Sequence, residues 1–390
     1  MSDKNLSRKE LTKRNQRINK KRKNIRTLII LVLTAALVYA TGIYGASLAF
    51  FGDFISSSFV LVEIGEGWPV EDDFSAVLQA ESMGNSLCLL DQDSYMVYSP
   101  TAKQVQRYNH TMQNPVMDCS GNRTVIYDQN QSSLKVLNSH KMLFQQDMDS
   151  SIIHATISKS NKVAVTTRSL SYNGEVTVFN YKMEESFVWY CAKNFPVYSS
   201  LSDSGKTLAV TTVQTVDGSL NCEIYLIDAT QGEEKFSISL QNYPLQLKFL
   251  NDESLLIAYP DKLVLWDITN NVQKAEYSFE GGRLLGVDYK NPYIAVSYGS
   301  YEQSQGNSVA LLSDNLEEKF VDTIDEQLKS MVISQFRIFV LGKSNIYEYN
   351  YKGERVGVSA ADNSSKKLIH FGGTILLGSN GMTKLEKAKK

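Results

Sequence analysis

From residue 74 onward, short β-branched and aromatic runs alternate with clusters of Gly, Asn, Asp and Ser, and no long amphipathic helical pattern intervenes. The clearest unit covers residues 197–212 and then 222–238. It predicts a strand, an Asp-Ser-Gly turn, a strand, a loop, a strand, a Thr-Gln-Gly turn and a last strand. Gly and Asn suit such turns because they tolerate positive φ, and Asp and Ser can bond back to nearby backbone amides.

The same order recurs eight times. First-hairpin markers fall at Asn85, Gly121, Asn161, Ser204, Asp252, Asn291, Gln335 and Gly373, with spacings of 36 to 48 residues and a mean of about 41. Four-stranded propeller blades repeat every ~40–45 residues. Each marker is followed by a buried-looking strand, such as Leu87-Cys-Leu-Leu90, Val163-Ala-Val-Thr166 or Ile338-Phe-Val-Leu341. Sheets with two apolar faces cover one another when arranged radially, so the expected fold is all-β, a β-propeller. The lone strand pattern Phe59-Val-Leu-Val-Glu-Ile64 is expected to close the ring on the last unit, which starts near residue 366 and lacks a fourth strand. That closure gives eight blades; seven remain if residues 366–390 only cap the structure.

Upstream the pattern changes. Residues 27–51 contain no ionisable acid or base apart from tyrosine, and as a helix they would reach about 37 Å, enough to cross ~30 Å of hydrocarbon. Tyr39, Tyr44, Phe50 and Phe51 lie towards the outer half, where interfacial aromatics belong. Charge sharpens this reading. The net charge of −2 divides into +9 over residues 1–26 and −11 over the rest. A basic flank retained inside predicts three parts: a cytoplasmic tail (1–26), a transmembrane helix (27–51) and an extracytoplasmic propeller (52–390). A cleaved signal peptide ending near Gly45-Ala-Ser47 is the competing reading, but its basic start and apolar core are both too long. A buried core helix is the other competitor. No aromatic residue interleaves the tail lysines, so nucleic-acid binding is not expected.

With 390 residues, 43% hydrophobic and 21% charged, wholesale disorder is excluded. The strand pattern resembles WD-repeat-like and quinoprotein-like propellers. Val264-Leu-Trp-Asp-Ile268 is similar to the strand bearing the WD dipeptide, and Ile224-Tyr-Leu-Ile-Asp-Ala-Thr-Gln-Gly-Glu-Glu-Lys235 resembles the third-to-fourth strand turn of quinoprotein-like repeats. Most units lack Trp-Asp, and none carries the preceding Gly-His. The whole chain also resembles an uncharacterised family of single-pass, membrane-anchored propellers of Gram-positive bacteria, a resemblance that implies no activity.

Candidate chemistry is sparse. His110, His140, His154 and His370 fall in different units without metal-ligand spacing. Asp91-Gln-Asp93 and Asp147-Met-Asp149 offer too few oxygens for calcium and read as polar turns. Cys88, Cys119, Cys191 and Cys222 read as buried thiols, with a Cys191–Cys222 bridge as the alternative. Asn109, Asn122, Asn130 and Asn363 begin glycosylation sequons at near-chance frequency. Tyr95, Tyr98, Phe179, Tyr225, Trp266, Tyr347 and Tyr349 read as packing between blades rather than a recognition surface. No catalytic, cofactor-binding or metal residue is assigned, and no cofactor is expected. The composite expectation is a non-enzymatic scaffold at the cell envelope, binding a protein, peptide or wall polymer. A propeller enzyme using the central channel, quinoprotein-like or hydrolytic, is the alternative. A sensor that signals through an inner partner is the third possibility.

Overall fold

The computed structural model describes residues 52–53, 57–240, 242–300, 306–334 and 336–385. The predicted basic tail, the predicted span at 27–51 and the marker Gln335 lie outside the described residues. Among the described residues, no helix is long and apolar enough to cross a membrane.

The unit that begins at Asp53 is all-β: eight four-stranded antiparallel sheets, each built from consecutive strands save the last. Strands are lettered A to D from the axis outward. Blade 1 comprises Val77–Met83, Ser86–Asp91, Ser94–Tyr98 and Gln104–Asn109, and the pattern repeats in blade 2 (115–147), blade 3 (152–191), blade 4 (195–240), blade 5 (246–278), blade 6 (283–324) and blade 7 (328–360). The A strands of neighbouring blades touch around most of the axis, and the last meets the first. In most blades the B and C strands carry near-continuous buried runs, such as Ser86–Asp91 and Ser94–Tyr98 in blade 1, because each face is covered by an adjoining blade; in Gly381–Leu385, the C strand of blade 8, only Met382 is fully buried. The D strands are the most exposed and some alternate, as in Glu318–Ile324. All eight expected A–B hairpins are found. At Gly121 (φ +56°) a Cβ would lie 3.0 Å from the Lys159 carbonyl of the next blade, so the turn needs glycine for both dihedral and space.

Two sequence expectations are corrected. Residues 59–64 do not close the ring: Val60–Val62 form a short 3-10 helix, with Val60 buried while Phe59, Leu61 and Ile64 face solvent. Closure comes from Val70–Glu71, which pair with Gly381–Leu385 through Val70 opposite Met382 and Glu71 opposite Gly381. This two-residue strand is the D strand of blade 8, whose A, B and C strands are Ser365–His370, Thr374–Gly378 and Gly381–Leu385. Eight blades therefore form with terminal sharing, by a different segment. The second correction lies in blade 4. The expected loop between its second and third strands is instead a continuous hairpin, Thr207–Val216 and Ser219–Asp228, turning through Asp217 and Gly218, both at positive φ. Asp-Gly is a favoured pair for such a tight hairpin turn.

Candidate functional site

The A strands assemble a polar wall along the axis. Glu81 of blade 1, Asp118 of blade 2, His154 of blade 3, Tyr198 of blade 4 and Lys248 of blade 5 line one cavity of about 320 Å³. Several of these side chains stitch one blade to the next. Glu81 Oε2 accepts the Cys119 N–H at 3.1 Å, and Asp118 Oδ2 accepts the Ile157 N–H and the Thr156 hydroxyl, each at 2.8 Å. Further round, Asp288 Oδ2 accepts the Ile333 N–H at 2.6 Å, and Ser330 Oγ accepts the Leu368 N–H at 3.1 Å. All but the Thr156 hydroxyl bond satisfy a backbone amide of an A strand.

The low-dielectric setting governs titration. Burial, then the neighbouring Asp118, pushes the Glu81 carboxyl up to about 7, against the pull of Lys367 and Lys248. Burial raises Asp118 and Asp288 as well. His154 is pushed down to about 4 by burial, and its ring lies on Tyr198 at a centroid distance of 4.1 Å. Glu81 can thus take or release a proton near neutrality. Among the described residues, no group of three or more His, Cys, Asp or Glu is placed to hold a metal ion.

The two rims of the ring differ in charge. One rim carries the A–B and C–D turns. With their flanking strand residues these hold thirteen carboxylates and eleven cations among the described residues, and the segment before the ring adds Asp53, Glu63 and Glu66 to this rim. The opposite rim carries the B–C turns and D–A links. Here fourteen carboxylates, including Asp72, Asp147, Asp217, Asp261 and Asp325, face five cations, Arg168, Lys193, Lys262, Arg283 and Lys343. Most of the excess negative charge of the propeller therefore sits on one rim. The segment that precedes the ring lies on the other one. Asp53 pairs with Arg123 at the A–B turn of blade 2, Ser57 bonds Asn85 at that of blade 1, and the Glu63 carbonyl accepts from Ser99 and Thr101 in the first C–D turn.

The residues singled out in the sequence scatter. His110 sits buried in the link from blade 1 to blade 2, its Nδ1 accepting the Met112 N–H at 3.4 Å. His140 is exposed in a C–D turn, and His370 ends the A strand of blade 8 with Nε2 3.1 Å from Lys290 Nζ. Only His154 joins the channel cluster. Asp91 caps its own turn, accepting the Asp93 N–H at 2.7 Å and the Ser94 hydroxyl at 2.8 Å, while Asp147 and Asp149 stand exposed on the acidic rim. Of the four sequons, Asn122 and Asn130 stand in turns, Asn109 ends a D strand and Asn363 lies exposed in a link. All four cysteines are free thiols, so the Cys191–Cys222 alternative is not formed. The aromatic C-strand residues pack between strands and blades: Tyr95 is wholly buried with its hydroxyl on Cys88 Sγ, and Tyr349 stacks on Phe320 at 5.8 Å.

What the sequence reasoning missed is a series of exposed apolar side chains on the rim of B–C turns and D–A links at blades 3 to 5, of which Tyr172 and Tyr190 meet at 4.8 Å. Leu170, Tyr172, Tyr190, Phe195, Val216, Leu220, Tyr243 and Leu245 all face solvent there. The one available signal was the Asp-Gly turn flanked by Val216 and Leu220, which marks a hairpin reaching past its neighbours.

Residues 60–386 match a family described as of unknown function, DUF5711. No curated protein matches the chain in sequence. Among solved structures, BamB from Moraxella catarrhalis superposes with a TM-score of 0.55 at 13% identity, over 83% of this chain and 100% of that one. The C-terminal WD40 domain of Sif2 gives 0.60 at 13% identity, over 83% and 99%. The dihydro-heme d1 dehydrogenase NirN, in complex with DHE, gives 0.56 at 12% identity, over 74% and 67%. At such identities the likeness is one of fold.

Proposed function

The chain belongs to the DUF5711 family, and we propose that it is a membrane-anchored extracytoplasmic scaffold whose acidic rim binds a basic protein, peptide or wall-polymer partner. The observation that carries this reading is the partition of charge between the rims. A rigid ring with fourteen carboxylates against five cations on one side attracts cationic partners and repels polyanions. The many loops that converge there, on a scaffold locked by interleaved blades, suit recognition.

The anchor in this reading is the apolar run at 27–51, oriented by the eleven cations of residues 1–26. Asp53 belongs to the A–B rim, opposite the acidic one. Protease shaving of intact cells tests sidedness: loss of the propeller with survival of a tagged N-terminal tail is expected, and full protection overturns it. Capture from cross-linked cells, with residues 1–56 alone as control, is expected to enrich a basic envelope component that is lost when Asp147, Asp217 and Asp261 are changed to Lys. The channel, with Glu81 and His154 beside a cavity, is where a propeller enzyme would work; a purified chain that retained a quinone through gel filtration would favour that reading.

A further inference from the structure

We infer that the axial channel binds a small zwitterion, a free amino acid or dipeptide, whose ammonium sits at Glu81 and Asp118 and whose carboxylate sits at Lys248 and Tyr289. This site lies on the axis, so it does not rest on the rim assigned above to a scaffold partner.

Charges of both signs line the axis without pairing. Glu81, Asp118 and Asp288 stand on the A strands of blades 1, 2 and 6, and Lys248, Lys290 and Lys367 on those of blades 5, 6 and 8. Lys248 acts on Glu81 and Asp118, Lys367 on Glu81 and Asp288, and Lys290 on Asp288. Among the described residues, none of the six forms an ion pair. Glu81 and Asp118 each commit one oxygen to the next blade, Oε2 to the Cys119 N–H and Oδ2 to the Ile157 N–H, and leave Oε1 and Oδ1 without a side-chain partner. A purely cationic ligand would face unpaired lysines, and a purely anionic one unpaired carboxylates. A molecule with one charge of each sign satisfies both, through hydrogen bonds roughly twice as strong as neutral ones.

Two cavities provide the space. The one of about 320 Å³ described above lies at the lower end of the ~300–1,000 Å³ typical of small-molecule sites, which suits an amino acid or dipeptide. A second, of about 130 Å³, lies at the seam between blades 5 and 6, whose A strands make the least contact of any neighbouring pair. Asp203 and Lys248 line both cavities. Asp203 is matched by Lys159 at 2.5 Å, so Lys248 is the exposed cation left to both. Asp314, the remaining charge at the second cavity, stands exposed in a C–D turn of the rim. The Tyr289 hydroxyl, at the same cavity, is buried without any hydrogen-bond partner. A buried hydroxyl left unpaired is costly, and a ligand carboxylate beside Lys248 supplies its acceptor. From blade 2 to blade 4, between the two poles, the rings of Tyr127, His154 and Tyr198 follow one another at centroid distances of 6.1 and 4.1 Å. They offer a wall to the carbon skeleton of the ligand.

Ligand-observed saturation-transfer NMR on the full chain in lipid nanodiscs, with the common free amino acids and their alanyl dipeptides as probes, identifies binders, and calorimetry gives their affinities. At least one zwitterion is expected to bind. Its amide, which lacks the carboxylate, and its deaminated acid, which lacks the ammonium, are expected to bind at least tenfold more weakly. Asp118→Asn keeps an oxygen for the Ile157 N–H, and Lys248→Met alters an exposed side chain, so both should melt as wild type while binding at least tenfold more weakly. Tyr289→Phe is expected to weaken binding severalfold and, without ligand, to melt no lower than wild type, because it removes an unpaired hydroxyl. Lys274→Met, on the D strand of blade 5, should bind as wild type. The inference is overturned if no probe binds at millimolar concentration, if the truncated analogues or the Lys248→Met chain bind with full affinity, or if glucose, a neutral polyhydroxyl, binds more tightly than every zwitterion. None of these results bears on the scaffold reading of the rim.

Discussion

Arg123 and Asp53 form a buried ion pair, Nη2 to Oδ2 at 2.6 Å, with both side chains only 6% exposed. The guanidinium also donates from Nε to Oδ2 at 2.8 Å and from Nη1 to the Tyr181 carbonyl at 2.6 Å, while Asn138 Nδ2 reaches Asp53 Oδ1 at 3.4 Å. One carboxylate thus fixes the incoming chain to blade 2, and its arginine extends the hold to the C–D turn of blade 3. Removing one partner of a buried pair leaves the other charge desolvated and typically costs about 3–5 kcal/mol. The Tyr181 carbonyl keeps part of the arginine satisfied, so Asp53→Ala is expected to lower unfolding stability by about 2–3 kcal/mol in urea titrations. A change below about 0.5 kcal/mol, the scatter of ordinary surface substitutions, would show that the pair does not secure this segment.

Ring closure depends on a contact that is small in sequence and deep in the core. Met382 is fully buried, opposite Val70, among Phe74, Leu87, Met96 and Ile375 of blades 8 and 1. Truncating a buried methionine to alanine costs about 2–5 kcal/mol through lost contacts and a residual cavity. Met382→Ala is therefore expected to destabilise the chain by that amount. Because only two residues of the D strand hold the last blade, limited proteolysis of this variant should cut between residues 64 and 76 before any other blade is attacked. Cleavage that begins elsewhere would count against this seam as the weakest one.

Where the sequence was legible, the reason is periodicity. The eight A–B hairpins and the buried B strands after them follow from turn chemistry at regular spacing, and that spacing survives divergence because every blade must fit the same angular slot. Closure was misread because Phe59–Ile64 has the composition of a strand, whereas the true closing strand, Val70–Glu71, is too short to show alternation. The polar channel was invisible because Glu81, Asp118 and Lys248 lie in separate repeats and meet only once the ring is closed. The exposed apolar residues of the blade 4 hairpin were hidden for a different reason: Val216 and Leu220 have the same side chains as core positions, and only their place beyond the ends of the flanking strands exposes them.

The four thiols are expected to be inert. Cys88 and Cys119 share a pocket with Thr124 and Tyr95, with Cys119 Sγ 3.1 Å from the Thr124 hydroxyl and Tyr95 OH 3.1 Å from Cys88 Sγ. Burial pushes the Cys119, Cys191 and Cys222 thiols up, away from the reactive thiolate. Ellman's reagent should label none of the four within minutes in the native protein and all four after unfolding in guanidinium. Rapid native labelling of even one thiol would reveal local opening at its seam.

The channel contains two groups whose titrations oppose each other. Glu81 holds its proton up to about 7 in the folded chain against an ordinary value of 4.5, so the folded state binds more protons between those limits and loses stability as pH rises through them. His154 is held neutral down to about 4 against an ordinary 6.5, so the unfolded state binds more protons in that window and stability is lost as pH falls through it. From about pH 4.5 to 6.5 the two trends offset in the wild type. Each substitution should unmask the other. Glu81→Gln keeps an oxygen for the Cys119 N–H and removes the carboxyl titration, so its stability relative to wild type should climb with pH, reaching a gain of about 1–2 kcal/mol by pH 8. His154→Phe keeps a ring on Tyr198 and removes the imidazole, so its stability relative to wild type should fall as pH rises from 4 to 6.5. Urea midpoints measured at half-unit steps from pH 4 to 8 give both curves. Slopes of the same sign, or flat differences for both variants, would mean that the channel is wet enough to leave these groups near their ordinary values.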